Sequence, residues 1–265
     1  MRLKQLIKIL AILALSIFFT ACNDNKKETG YKATLPMPST KGLSSMGLIG
    51  FAHDAKNDPI PATKIGYAYS EELKDYDKAI QWYKYSNSMK PLAQNSNYMC
   101  YAYQMKKEYE EAIKWCKNAI ELGSDEALFQ LAYTYRENKE YKKAEKWFIK
   151  SFEKKDKDAP TALGYLYTNY LNDYKNAEKY YKEGVKIKDL ESFHNLSRLY
   201  HHKLKNDLKA SAYAIALIGN KYTKRSVLKL LKEWKIPNET IKKGYELQLS
   251  SDEFPLKFKG ELNLD

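Results

Sequence analysis

The chain has 265 residues, with 45 Lys and Arg against 33 Asp and Glu, a formal net charge of +12, and 23 tyrosines. The basic excess is mostly lysine spread over turns and polar faces. No arginine-rich patch or nucleic-acid motif accompanies it, so nucleic acid is not an expected partner. Nor is there a Gly-rich phosphate loop, a Gly-x-Ser-x-Gly or a His-Glu-x-x-His, so neither catalysis, a cofactor nor a small-molecule substrate is expected.

At the N-terminus Arg2, Lys4 and Lys8 precede an uncharged run from Ile9 to Ala21. A basic start, an apolar stretch and a small residue before the cut describe a secretory signal. The run is short for a transmembrane span. Its end, Phe19-Thr20-Ala21-Cys22, resembles the bacterial lipoprotein box, with Phe19 in place of the usual Leu. The resemblance implies cleavage before Cys22, a diacylglyceryl thioether on its sulfur and usually a third acyl chain on its amine. Two or more chains anchor a protein stably in a membrane. An ordinary cleaved signal or an uncleaved anchor is the alternative. Loss of residues 1–21 removes the three basic residues just named and lowers the net charge from +12 to +9. Asn23 after the cysteine is not acidic, which favours the periplasmic face of the outer membrane over the inner membrane. From Asn23 to about Ser45 the chain is polar and rich in small residues, so residues 22–58 read as a lipidated cysteine and a flexible tether.

From residue 59 to 220 one pattern recurs. It reads Ile65-Gly66-x-x-Tyr69, Met99-Cys100-x-x-Tyr103, Leu131-Ala132-x-x-Tyr135, Leu163-Gly164-x-x-Tyr167 and Leu196-Ser197-x-x-Tyr200. The tyrosines fall 34, 32, 32 and 33 residues apart. Each of the first four is followed by Ala79-x-x-Trp82-Tyr83, Ala112-x-x-Trp115-Cys116, Ala144-x-x-Trp147-Phe148 or Ala177-x-x-Tyr180-Tyr181. The fifth copy is degraded near Ala210 or Ser211, with Ala214 or Ile215 where its aromatic is due. A large residue, a small one and a Tyr three further on form one helical stripe. The small residue lets a second helix approach, and that helix answers with its own alanine. Turns such as Lys74-Asp75 and Asn172-Asp173 are too short for anything but an antiparallel helical hairpin. A fixed period near 33 means a stacked array in which each unit is buried only by its neighbours.

These residues resemble the tetratricopeptide repeat, and the Trp placement after the alanine resembles the related SEL-type repeat. The first-helix Trp of the family is absent, and its closing proline survives only as Pro91. The expected fold is all-α, a right-handed α-solenoid of about five antiparallel helical hairpins with C-terminal capping helices in residues 221–265.

In such an array the first helices line the concave side. Two residues before each core tyrosine stand Tyr67, Tyr101, Tyr133 and Tyr165, with Arg198 in the fifth unit. Helical geometry turns this position about 200° from the core tyrosine. Gln104, Arg136 and Thr168 follow the core tyrosines, and Asn97 and Phe129 precede them by six. Together they form a candidate peptide-binding groove, with aromatic rungs and hydrogen-bonding side chains between them. Packing between adjacent repeats is the other reading of these tyrosines, and the two are compatible.

Cys100 and Cys116 point into one interhelical seam, where an oxidising periplasm permits a disulfide and two buried thiols are the alternative. His194, Arg198 and His201 share a helix face near Glu191 and Asp207, more simply a solvated surface than a metal site. The basic amphipathic helix from Lys224 to Lys235 is expected to cap the array, with a membrane-surface or partner-binding role as the other reading. The sequence therefore suggests a lipid-anchored envelope adaptor for a protein or peptide partner. An envelope enzyme acting on peptidoglycan or β-lactam substrates is the alternative.

Overall fold

A computed structural model describes residues 30–40 and 46–264, with side chains from residue 49 in the second stretch. The expected signal 1–21, the expected lipidation site Cys22 and residues 23–29 lie outside the described residues. Among those described there are thirteen α-helices and no strand. A first helix, α1 (Met46–Asp54), precedes five hairpins: α2 (Pro59–Glu71) with α3 (Tyr76–Met89), α4 (Ala93–Met105) with α5 (Tyr109–Glu121), α6 (Glu126–Glu137) with α7 (Tyr141–Glu153), α8 (Ala159–Leu166) with α9 (Tyr174–Lys186), and α10 (Leu190–His202) with α11 (Asp207–Ile215). A single π turn, Tyr167–Leu171, extends α8. The helices α12 (Lys224–Glu233) and α13 (Asn238–Ser250) follow. Within the hairpins each helix packs on the next in sequence, which is the stacking of an α-solenoid.

The hairpin turns share one device. A residue with positive φ, Lys74, Lys107, Lys139, Asn172 or Lys205, follows the first helix. The N–H of the next residue then donates to the carbonyl of the core tyrosine: Asp75 to Tyr69, Glu108 to Tyr103, Glu140 to Tyr135, Asp173 to Tyr167 and Asn206 to Tyr200. This left-handed closure satisfies carbonyls that the helix end leaves free. Three of these residues also start the second helix, since the side chains of Asp75, Asp173 and Asn206 accept from the backbone N–H three residues on.

Small residues set the helix spacing. A β-carbon on Gly66 would stand 2.6 Å from Tyr83 Cε1, and one on Gly164 only 2.4 Å from Tyr181 Cδ1. In the second hairpin the same two positions hold Cys100 and Cys116, joined in a disulfide with Cα atoms 5.1 Å apart. The fifth hairpin departs from the expectation that it lacks its aromatic. Tyr213, three residues after Ala210 as Trp82 is after Ala79, is fully buried. It stacks on Tyr200 at 5.6 Å, just as Tyr180 stacks on Tyr167 at 5.6 Å one unit earlier. Adjacent units are tied by the same tyrosines: Tyr167 donates to Glu145 and Tyr200 to Glu178, both at 2.6 Å.

The expectation of a flexible tether through residue 58 does not hold for its described part. Tyr31 N–H donates to the Asn57 carbonyl at 3.0 Å, and Ala33 and Met37 reach the core. Phe51, Ala52 and Ala55 of α1 and its turn cover the open end of the first hairpin, which would otherwise expose apolar surface.

The other end is closed by α12, α13 and the tail. Gly244 lets α13 approach α11 so closely that a β-carbon there would lie 2.7 Å from Ser211 Cβ. The tail returns over the stack: Phe254 is buried against Tyr213 at 4.7 Å, and Glu253 pairs with Lys182 of α9 at 2.8 Å. The Gln248 amide holds the Phe258 backbone through both its oxygen and its nitrogen. Val227, Leu231, Ile241, Leu262 and Leu264 form a second apolar cluster beneath α12.

Candidate functional site

The first helices present a periodic aromatic surface. Tyr67, Tyr133 and Tyr165 occupy the same register in three units and are 40%, 37% and 40% exposed. Tyr101, the rung between the first two, is half-buried with its ring edge-on to Tyr76 at 6.4 Å. Each unit turns this position away from its core tyrosine, as the 200° offset requires.

Arg136 lies at the centre of the ladder. Its guanidinium carbon is 4.2 Å from the Tyr133 ring centroid and 5.6 Å from that of Tyr165. Glu137 accepts from it at 2.9 Å. Planar cation, two rings and carboxylate fix one another, so this part of the surface is preorganised.

Two rungs are placed by features that the core-tyrosine register does not contain. Tyr98 bridges Tyr67 at 5.5 Å and Tyr83 at 5.4 Å. It stands three residues before Tyr101 and so shares its helix face, a spacing that the sequence does show. Tyr170 sits in the π turn, stacked on Tyr141 at 4.5 Å and edge-on to Tyr165 at 5.9 Å. A 3.6-residue period does not predict that position, because the extra residue of a π turn shifts the register.

Two other predicted groove residues, Gln104 and Phe129, are taken up in packing. Gln104 is buried, and its amide donates to the Gln130 carbonyl at 3.0 Å and to the Thr134 hydroxyl, so it ties α4 to α6 instead of facing the groove. Phe129 packs edge-on to Phe148 of α7 at 5.2 Å and belongs to the core. Asn97 is half-buried, with an inaccessible Oδ1 that has no hydrogen-bond partner among the described residues. Thr168 returns its hydroxyl to the Gly164 carbonyl at 2.8 Å, satisfying its own helix. Arg198 is exposed.

Burial raises the phenols of Tyr98, Tyr101 and Tyr170 above their ordinary value of 10, with the neighbouring Tyr165 adding to the effect at Tyr170. Such phenols offer apolar ring area and an uncharged hydroxyl that both donates and accepts.

The imidazoles serve the cap. His201 Nδ1 lies 2.6 Å from Asp207 Oδ1, and its ring stacks on Trp234 at 4.4 Å. His194 Nδ1 is 3.2 Å from the Tyr222 hydroxyl. Among the described residues no three His, Cys, Asp or Glu side chains converge as metal ligands would.

The tetratricopeptide repeat family matches residues 62–91, 125–153 and 161–189, which are the first, third and fourth hairpins. Three of the five hairpins are tetratricopeptide repeats by this match. The second and fifth hairpins lie outside the matched residues. They are the two that depart from the pattern, with a cysteine pair in one and Ser197 with Ala214 in the other.

Solved structures share the fold. PilF of Pseudomonas aeruginosa has a TM-score of 0.57 at 15% identity, covering 77% of this chain and 96% of that one. The SLR-fold protective antigen c5321 of uropathogenic Escherichia coli has a TM-score of 0.55 at 21% identity, covering 76% of this chain. This chain spans only 47% of that antigen. YrrB, a tetratricopeptide protein with an unusual peptide-binding site, has a TM-score of 0.50 at 16% identity, over 76% of this chain and 98% of YrrB. At these identities the likeness is one of fold alone. No curated protein matches the sequence.

Proposed function

We propose that this protein is a lipid-anchored adaptor of the bacterial envelope that holds a protein or peptide segment against the first helices of its tetratricopeptide array. The observation that carries the reading is the exposure of Tyr67, Tyr133 and Tyr165 at one register of three units. Large rings left open at a repeating position form a continuous contact surface at low entropic cost. A segment lying across Tyr67, Tyr101, Tyr133 and Tyr165 meets a row of aromatic rings, with Arg136 near the middle. Anchoring rests on Arg2, Lys4, Lys8, the run Ile9–Ala21 and Cys22, which together support export and acylation, and the non-acidic Asn23 favours the periplasmic face of the outer membrane.

The test is a crosslinked pull-down from intact envelopes with the wild type and with Tyr101→Ala/Tyr133→Ala. A partner enriched by the wild type and lost from a helical, normally melting double variant is the expected result. Equal capture by that folded variant removes the groove reading. Labelled fatty acid should be incorporated by the wild type and not by Cys22→Ala; no incorporation by either overturns the anchor.

A further inference from the structure

Helix α12 has a charge pattern that capping does not require. It carries four basic residues and one acidic residue in ten. Val227 and Leu231 are buried in the cluster that Ile241, Leu262 and Leu264 complete, and those apolar contacts account for the capping role. On the outside Arg225, Lys229 and Lys232 follow at i, i+4 and i+7, so they form one stripe, and all three are exposed. Lys229 has a loose pair with Glu233 at 3.8 Å. The side chains of Arg225 and Lys232 have no ion-pair or hydrogen-bond partner among the described residues. Helix α13, which caps the same end, instead mixes Lys242 and Lys243 with Glu239 and Glu246 on its exposed side. A polar outer face alone would be served by that mixture.

The stripe borders an open cleft of about 710 Å³ between α12 and the returning tail. Leu228 and the buried Leu262 supply apolar area within it, and Lys224, Arg225, Lys229 and Lys232 supply four cations against the one carboxylate of Glu233. A cleft that pairs aligned cations with apolar area suits a ligand with phosphate oxygens above and hydrocarbon below. Arg225 can take two phosphate oxygens at once, while the lysines act as point charges.

We propose that α12 docks the capped end of the array onto an anionic phospholipid bilayer, with headgroup phosphates on Arg225, Lys229 and Lys232 and Leu228 at the acyl boundary. The choice of a bilayer over an acidic protein rests on the anchoring reading, since a chain held at Cys22 has such a surface within reach. Contact at α12, which closes the end of the array opposite α1, adds a second attachment point to the chain. Each basic residue near an anionic leaflet contributes to the attraction, which screens with salt.

The experiment uses residues 22–265 with Cys22→Ser, so that no acyl chain contributes; both apolar clusters lie within residues 30–264. Sedimentation with phosphatidylglycerol–phosphatidylcholine vesicles is compared with phosphatidylcholine alone. Salt-sensitive binding to the anionic vesicles only is expected. Arg225→Glu/Lys229→Glu/Lys232→Glu should weaken it by about a hundredfold or more. Lys242→Glu/Lys243→Glu on α13 should leave most of it. Circular dichroism melts establish that each variant is folded. Failure to bind anionic vesicles, equal binding to neutral ones, or undiminished binding by a folded triple variant overturns the proposal. Capture by polyglutamate without vesicle binding overturns it in favour of an acidic protein. Because the assayed chain is unacylated, these outcomes are separate from the fatty-acid test at Cys22.

Discussion

Cys100 on α4 is bonded to Cys116 on α5 at the two positions where the fourth hairpin sets Gly164 against Tyr181. A covalent link thus stands where the first and fourth hairpins rely on a ring filling the space above a glycine. The bond closes a loop of 16 residues. In the chain-entropy account, such a loop contributes about 3 kcal/mol by restricting the unfolded chain. Cys100→Ala/Cys116→Ala should therefore lower the free energy of unfolding by about that amount in guanidinium titrations. Thiol reduction should mimic the variant in the wild type and have no effect on the variant itself.

Close approach at the glycines predicts an asymmetric response to a single methyl group. In Gly164→Ala the new carbon would meet three ring atoms of Tyr181 at 2.4 to 2.7 Å, and that ring is fully buried. The ring has no free space to enter, so α8 and α9 must separate. The expected loss is roughly 1–3 kcal/mol, read as a lower melting temperature with unchanged helicity. A Gly164→Ala variant as stable as wild type would show that the helix spacing is set by something other than this contact.

The hairpins are legible in the sequence because one stripe does two jobs. The tyrosine that fills the core also supplies the carbonyl that receives the turn, so core register and turn position are read together. The rungs Tyr67, Tyr133 and Tyr165 follow from the same register. Gln104 and Phe129 do not: Gln104 is buried against the adjacent first helix α6, and Phe129 packs on Phe148 of its own hairpin partner α7, contacts that a single helical wheel does not show. Tyr170 is shifted by the π turn. The packing of residues 30–40 and of the tail depends on long-range burial of Met37 and Phe254, and those short apolar segments have no periodicity to announce it.

Lysine at the turn offers a route to higher stability. Lys139 has φ +62° and an exposed side chain. The left-handed region costs a residue with a β-carbon about 1 kcal/mol relative to glycine. Glycine has no such penalty, and the backbone bond from Glu140 to Tyr135 does not involve the Lys139 side chain. Lys139→Gly is expected to raise the melting temperature, by up to about 1 kcal/mol of unfolding free energy. A lower melting temperature would mean that the lysine side chain contributes more than its backbone strain costs.

His194 makes the capped end sensitive to acid. Burial, with Lys221 and Arg198 nearby, holds its imidazole below the ordinary value of 6.5, against a weaker opposing pull from Glu191. Its ring also faces the Tyr222 hydroxyl, which joins α10 to the segment leading into α12. The unfolded chain therefore takes up this proton at a higher pH than the folded one. Above pH 6.5 both states are neutral here and the residue adds no pH dependence. As pH falls below 6.5 the unfolded state binds the proton first, and stability declines until the folded imidazole also titrates. His202, likewise lowered by burial and by His201 beside it, acts in the same direction. The expected result is a falling denaturation midpoint between pH 6.5 and about 5, before the lowered carboxylates such as Asp189 begin to protonate. His194→Gln should flatten that slope while keeping a polar group opposite Tyr222. A wild-type profile already flat across this interval, or one unchanged by His194→Gln, would show that the imidazole is not the group that couples the cap to pH.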